Sequence, residues 1–137
     1  MTRIKYDATI LNYITLFESL TGAKVKDCIS DEGLLFIIEK GNMGLAIGKG
    51  GSNLRRVENT FKKQVKVIEF DDNVIGFIKN YVFPLRKIQI SQEGKAVKIT
   101  GQDTKTKGLL IGRERANLKK LNDIVKRFFD IEDIMVI

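Results

Sequence analysis

A short segment that occurs twice constrains this chain more than any other feature. The first copy runs from Ile47 to Val57 and contains Gly48-Lys49-Gly50-Gly51, and the second runs from Ile111 to Leu121. Both copies have isoleucine, glycine, asparagine and leucine in the same places, and the leucine is followed by two basic residues. A repeated succession of this kind indicates two copies of one structural unit.

The sequence around the segment repeats as well. Ile29–Gly33 resembles Ile90–Gly94, and the two copies of the main segment lie 64 positions apart, as Gly48 and Gly112 show. The 137-residue chain is therefore expected to form two small domains, residues 1–71 and 72–137. Each is near the size at which a single core is only marginally stable, and we expect the two to dock with limited freedom.

Hydrophobic periodicity predicts one order of elements in both halves: helix, strand, strand, short helix, loop, helix, strand. The first helix is expected to begin at a cap, Asp7 or Thr9, and to bury an apolar stripe of Ile10, Leu11, Ile14, Phe17 and Leu20. Within the predicted strand Leu34–Glu39, the segment Leu34–Ile38 is apolar without alternation, which is typical of a central strand covered on both faces. The phenylalanines and tyrosines lie mainly at apolar spacing and are predicted to be core residues.

Composition narrows the possible chemistry. The chain has 24 Lys and Arg against 17 Asp and Glu, a net charge of +7, and it has no His and a single Cys, Cys28. The basic excess favours a polyanionic partner, nucleic acid before a membrane. The lack of histidine excludes zinc fingers and His-based catalysis, and we expect no metal and no cofactor. No signal peptide or membrane span is predicted, so a cytoplasmic location is expected.

The glycine loop is suited to binding a phosphate. Glycines allow positive φ and leave no Cβ in the way of a close approach, and the helix that follows presents free N–H groups at the same point. Lys49 adds a mobile cation. Because side chains are missing where the backbone is approached, the sequence favours a phosphate that belongs to a bulky polymer.

A nucleotide site is the alternative use of such glycines, and the spacing argues against it. A P-loop needs four residues between its glycines followed by Gly-Lys-Ser/Thr, whereas three residues separate Gly44 from Gly48 and Lys49 precedes Gly50. A dinucleotide fingerprint from Gly48 would need glycine where Asn53 stands, and it would need a parallel βαβ crossover, whereas a hairpin is predicted to precede the loop. We therefore expect no enzymatic activity, no catalytic residue and no small-molecule substrate.

The element order and the Gly-x-x-Gly loop between two helices resemble a KH domain, in which this loop holds the backbone of about four nucleotides. The resemblance implies an α+β fold of two tandem type II (prokaryotic) KH domains, each α-β-β-α-α-β with a three-stranded sheet packed on helices. Two directly abutted units with the pattern from Gly48 to Arg55 are similar to the KH pair of the NusA family of transcription termination and antitermination factors. The similarity is closest to the short archaeal form.

The resemblance implies a set of RNA-binding residues, some in each unit. In the first unit these are Ile47, Gly48, Lys49, Gly50, Gly51, Asn53, Arg55 and Arg56, and in the second they are Gly112, Arg113, Arg115, Asn117, Lys119 and Lys120. The second loop departs from the motif at Glu114-Arg115, because Arg115 replaces the final glycine. If that position is left-handed, the replacement costs roughly 1–2 kcal/mol. Arg115 either binds a phosphate through its guanidinium or belongs to a loop that is purely structural.

The implied function is binding of single-stranded RNA during transcription elongation, termination or antitermination, with RNA polymerase as a further partner. The basic residues beside the loops also have a simpler interpretation. They would suit the solvent-exposed face of an amphipathic helix, and they are Arg55, Arg56, Lys119 and Lys120. Two other functions remain open. One is ribosome assembly or another RNA-binding task, and the other is a KH scaffold for protein contacts.

Overall fold

The structure is a computed structural model that describes residues 8–137. These residues form two compact units, and the division falls between Asp71 and Asp72. Each unit has a three-stranded sheet, and within the described residues each shows the order helix, strand, strand, helix, 3-10 turn, helix, strand. The prediction of a mixed α+β fold with two three-stranded sheets is confirmed.

The first unit follows its predicted elements closely. They are α1 (Ala8–Thr21), β1 (Val25–Ser30), β2 (Leu34–Ile38), α2 (Met43–Ile47), α3 (Ser52–Phe61) and β3 (Val65–Glu69). Strand β2 lies between β1 and β3, pairing antiparallel with β1 and parallel with β3. Its central position is as predicted, and Phe36, Ile37 and Ile38 on it are fully buried.

The parallel pair corrects one step of the sequence reasoning. The hairpin predicted before the loop is confirmed, since β1 and β2 pair antiparallel. Because β2 and β3 are parallel and joined through α2 and α3, a parallel crossover follows that hairpin. Topology therefore gives no argument against a dinucleotide site at this loop. The argument from residue types is unaffected, since Asn53 still occupies the position where a fingerprint requires glycine.

Helix α1 packs on the sheet through an aromatic contact. The ring of Phe17 stacks on that of Phe36 with 4.2 Å between centroids, and Ile10, Tyr13, Ile14 and Leu20 pack partly buried against the same core. Leu11 was wrongly placed on this stripe, because its side chain is 50% exposed. Thr9 lies inside the helix and not at its cap, and Asp7 lies outside the described residues.

The second unit repeats the arrangement. Its elements are α4 (Val74–Val82), β4 (Ile88–Glu93), β5 (Ala96–Gly101), α5 (Thr104–Ile111), α6 (Ala116–Phe128) and β6 (Asp133–Val136). Strand β5 is central, antiparallel to β4 and parallel to β6. Asn73 caps α4, since its side chain accepts hydrogen bonds from the N–H groups of Ile75 and Gly76. Such caps satisfy donors that the first turn of a helix leaves unpaired.

Candidate functional site

The first glycine loop lies between α2 and α3 and exposes bare backbone. Gly48, Gly50 and Gly51 have φ values of +74°, +60° and +78°, a region that residues with a Cβ enter only at a cost. No heavy atom of the described residues beyond its chain neighbours lies within 4 Å of where a Cβ on Gly50 would stand. Lys49 and Gly50 are both exposed. A large ligand could therefore approach the main chain here without meeting a side chain.

Gly48 leaves no room for a side chain, because it packs against Asn53. A Cβ on Gly48 would lie 2.8 Å from the Asn53 backbone nitrogen and 2.7 Å from the Asn53 Cγ, closer than real contacts allow. Asn53 Nδ2 in turn donates a hydrogen bond to the Leu45 carbonyl at 2.8 Å. Asn53 thus ties the start of α3 to α2, and the close fit of Gly48 permits this. The Asn53 side-chain amide therefore already makes one hydrogen bond within the protein, at an exposed position, and its contact with RNA stays a prediction.

The two arginines after Asn53 have different surroundings. Arg55 Nη1 donates to the Gly50 carbonyl at 2.7 Å, so its guanidinium braces the loop and brings a positive charge to it. Arg56 Nη1 points away from the loop and lies 3.5 Å from the carbonyl oxygen of Leu20 at the end of α1. Arg55 therefore belongs to the loop by geometry, whereas a role for Arg56 in RNA binding stays a prediction.

The electrostatics at the loop favour an anion. The Ser52 N–H donates to the Lys49 carbonyl, whereas Gly51, the N-cap of α3, has no side chain to accept from the N–H groups that follow in the first turn. Those donors and the positive end of the helix dipole face the loop, where Lys49 and Arg55 add two formal charges. The arrangement can bind a phosphate through backbone and side-chain donors together.

The second loop has the same backbone, although its sequence differs. Gly112 has φ +74° and ψ +175°, against +74° and +171° at Gly48. Glu114 (φ +54°, ψ +31°) and Arg115 (φ +65°, ψ +19°) adopt the left-handed conformations of Gly50 (+60°, +22°) and Gly51 (+78°, +14°). The position of Arg115 is therefore left-handed, so the penalty anticipated from sequence applies there, and it applies at Glu114 as well.

The side-chain hydrogen bond that ties α3 to α2 in the first unit has a counterpart between α6 and α5 in the second. Asn117 Nδ2 donates to the Leu109 carbonyl at 2.9 Å, and a Cβ on Gly112 would stand 2.6 Å from Asn117 Cγ. What changes is the surface, since Arg113, Glu114 and Arg115 are all exposed. Glu114 and Arg115 place a carboxylate and a guanidinium where the first loop has the bare main chain of Gly50 and Gly51, and Arg113 takes the place of Lys49. Lys119 and Lys120 are exposed on α6 after it.

Apolar side chains accompany both loops, and sequence reasoning found one of them. Ile47 is 36% exposed next to Gly48, while Leu45 and Leu109 are each 51% exposed on α2 and α5. The leucines were missed because apolar residues in a short helix are expected to be buried. Both leucines occupy the same position of the repeat, and this match was the sequence signal that could have identified them.

Cys28 lies in the hydrophobic core of the first unit. Burial, with a smaller effect from Asp27, raises the pKa of the Cys28 thiol to about 12, and the side chain is 3% exposed. The thiol is therefore a packed group of the core. Within residues 8–137, His, Cys, Asp and Glu side chains form no group of three or more that could hold a metal. No helix in that range is long and apolar enough to cross a membrane.

Comparison with known proteins agrees with this geometry. A family model described as the KH domain matches residues 12–80. A protein of Halococcus morrhuae named probable transcription termination protein NusA is 32% identical, and the match covers 96% of this chain and 97% of that one. Proteins of the same name from Methanococcus vannielii (33% identical, 98% and 80% covered) and Methanocaldococcus jannaschii (31%, 100% and 77%) also match.

A solved structure shows the same fold. The crystal structure of APE1850 is 25% identical and aligns with a TM-score of 0.75 over 96% of this chain and all of the other. Fold, loop and family match together define a KH-domain protein, the class that binds RNA through a loop of this kind. Within that class, the chain belongs to the archaeal NusA-like family.

Proposed function

We propose that the chain consists of two tandem type II KH domains, residues 1–71 and 72–137, and that it binds single-stranded RNA through the loops at Gly48–Gly51 and Gly112–Arg115. The observation that carries the proposal is the exposed main chain of the first loop at the start of α3. The repeated backbone of the second loop supports a second site of the same origin.

The two loops are proposed to bind RNA in different ways. At the first, backbone N–H groups from the loop and α3 donate to phosphate oxygens while Lys49 and Arg55 supply charge. At the second, the guanidinium groups of Arg113 and Arg115 make the phosphate contact, because their side chains cover the approach to the main chain. Guanidinium groups bind phosphate in bidentate fashion, with charge-assisted hydrogen bonds.

The proposed biological task is in transcription elongation, termination or antitermination on nascent RNA, with RNA polymerase as a partner. The names of the relatives support this task. The same contacts with RNA would serve ribosome assembly equally well, and co-purification of polymerase or of pre-ribosomal particles distinguishes the two. We expect no nucleotide turnover and no magnesium-dependent binding in either case.

The test is a charge reversal in the first loop. Lys49→Asp with Gly50→Asp should abolish RNA binding and leave the fold intact, because both positions are exposed and the space beside Gly50 is open. Aspartate also tolerates the left-handed region better than most residues. Binding is measured by fluorescence anisotropy on labelled oligo-uridine RNA, and the fold by circular dichroism.

A matched control makes the same change of charge elsewhere. Ser91→Asp with Lys98→Asp alters two exposed positions that pair across β4 and β5, and it should weaken binding far less than the loop variant. An unchanged affinity in the loop variant would favour the protein-scaffold function. Affinity of the wild-type chain should fall with salt by about 0.7 units of log–log slope for each phosphate neutralised.

A further inference from the structure

Among the phenylalanines, Phe83 departs from the prediction that aromatic residues form the core. All eight phenylalanines lie in the described range, and seven of them are buried or half-buried. Phe83, directly after α4, is 62% exposed. A ring of this size usually stabilises a fold by being buried, so the exposure of Phe83 needs a separate explanation.

The surroundings of Phe83 are basic. The Arg86 Cζ lies 5.8 Å from the centroid of the Phe83 ring, and Lys79 and Lys87 are exposed on either side in sequence. Between Asp72 and Glu93 the sequence contains no acidic residue. Lys87 Nζ is 3.5 Å from Asp103 Oδ2, and both side chains of this pair are exposed, so salt and solvent screen the pair strongly.

We propose that Phe83 and Arg86 form a stacking site for an unpaired nucleobase of RNA, separate from the two loops. The exposed Phe83 ring and the Arg86 guanidinium over it are two planar groups on which a base can stack, and the neighbouring cations attract the phosphates that accompany it. A protein partner would need a wider apolar surface than one ring, and the excess of positive charge favours a polyanion. The site rests on the proposed function, since it presumes that the chain binds RNA.

Affinity should depend on the aromatic character of position 83. Base–aromatic stacking is worth enough that removing the ring weakens binding roughly 5- to 150-fold per base. Phe83→Leu keeps an apolar side chain and removes the stacking face, so it should show a loss in this range. Phe83→Tyr keeps the face and should bind RNA like the wild type. An equal loss in both variants, or no loss in the leucine variant, overturns the proposal.

A direct reporter of the contact is available because the chain has no tryptophan. Phe83→Trp creates a single indole at the site, and Leu11→Trp places one at a control position that is 50% exposed on α1. Oligo-uridine RNA should change the emission of the Phe83→Trp protein and leave that of the Leu11→Trp protein unaltered. An abasic ribose-phosphate oligomer of the same length should leave both unaltered, because it has no base to stack.

The outcomes separate this site from the proposed function. If anisotropy shows that the Phe83→Trp protein binds RNA while its emission stays constant, the stacking site is wrong and RNA binding by the loops stands. An emission change with the abasic oligomer equal to that with RNA would mean that phosphate alone is bound, which also overturns the site. If the wild-type chain binds no RNA in anisotropy at low salt, the proposed function fails and the stacking site fails with it.

Discussion

The second loop stores strain that two glycines would release. Glu114 and Arg115 have φ values of +54° and +65°, and a left-handed residue with a Cβ costs about 1–2 kcal/mol. Glycine removes that cost but loses more backbone entropy on folding, about 0.5–1 kcal/mol per position. Glu114→Gly with Arg115→Gly should therefore raise the free energy of unfolding by about 1–2 kcal/mol in total, with no change of net charge.

The assay is equilibrium urea unfolding of the whole chain, with hydrogen exchange of the α6 amides to assign the effect to the second unit. The reciprocal variant, Gly50→Glu with Gly51→Arg, is the matched control and should destabilise the first unit by a similar amount. A glycine variant of the second loop that is no more stable than the wild type would refute the reasoning. If the arginine side chains hold the phosphate there, the same glycine variant should also bind RNA more weakly.

Three further predictions follow from single contacts. Asn53→Ala and Asn117→Ala each remove a hydrogen bond that ties a loop to the preceding helix, and each should lower the free energy of unfolding by about 0.5–1.5 kcal/mol in urea titrations. Asn53→Ala should also weaken RNA binding. Unchanged stability in both variants would contradict this role of the two asparagines. Hydrogen bonds from Thr106 are the largest effect that lowers the pKa of Asp103. The stabilisation by the Asp103 carboxylate is therefore present above its unfolded-state pKa and is lost as pH falls through the lower folded-state pKa. The Asp103→Ala protein should lose stability less steeply on acid titration, and a profile identical to that of the wild type would contradict this. Cys28, with its pKa raised to about 12 by burial, should react with a thiol reagent under mildly alkaline conditions only after unfolding, and rapid labelling of the native chain would contradict its placement.

The repeat made much of the fold predictable from sequence. Its glycines, turn residues and apolar spacing are local signals, and they indicated the element order and the exposed loop after Ile47. The parallel pairing of β2 with β3 was not predictable, because the choice of strand partner depends on contacts distant in sequence. Leu11 was misplaced for the same reason, since the side of α1 that is covered depends on where the sheet lies.

The exposed glycine loop was predicted from sequence, whereas the contacts of the side chains beside it were not. Sequence reasoning treated Asn53, Arg55 and Arg56 as one group, whereas their hydrogen bonds lead to Leu45, Gly50 and Leu20 respectively. Such differences arise from side-chain geometry, which residue type alone does not specify. The left-handed backbone at Glu114 and Arg115 could not be predicted from sequence either, because glutamate and arginine disfavour this conformation.

The central claim is that RNA approaches the main chain of the first loop, and NMR of the backbone amides tests it most directly. On titration with a short oligo-uridine RNA, the amide resonances of Gly48–Gly51 and Ser52 should shift most in the first unit, and the shifts should be absent in the Lys49→Asp/Gly50→Asp chain. Saturating RNA that leaves these amides unmoved while it shifts others would contradict the account.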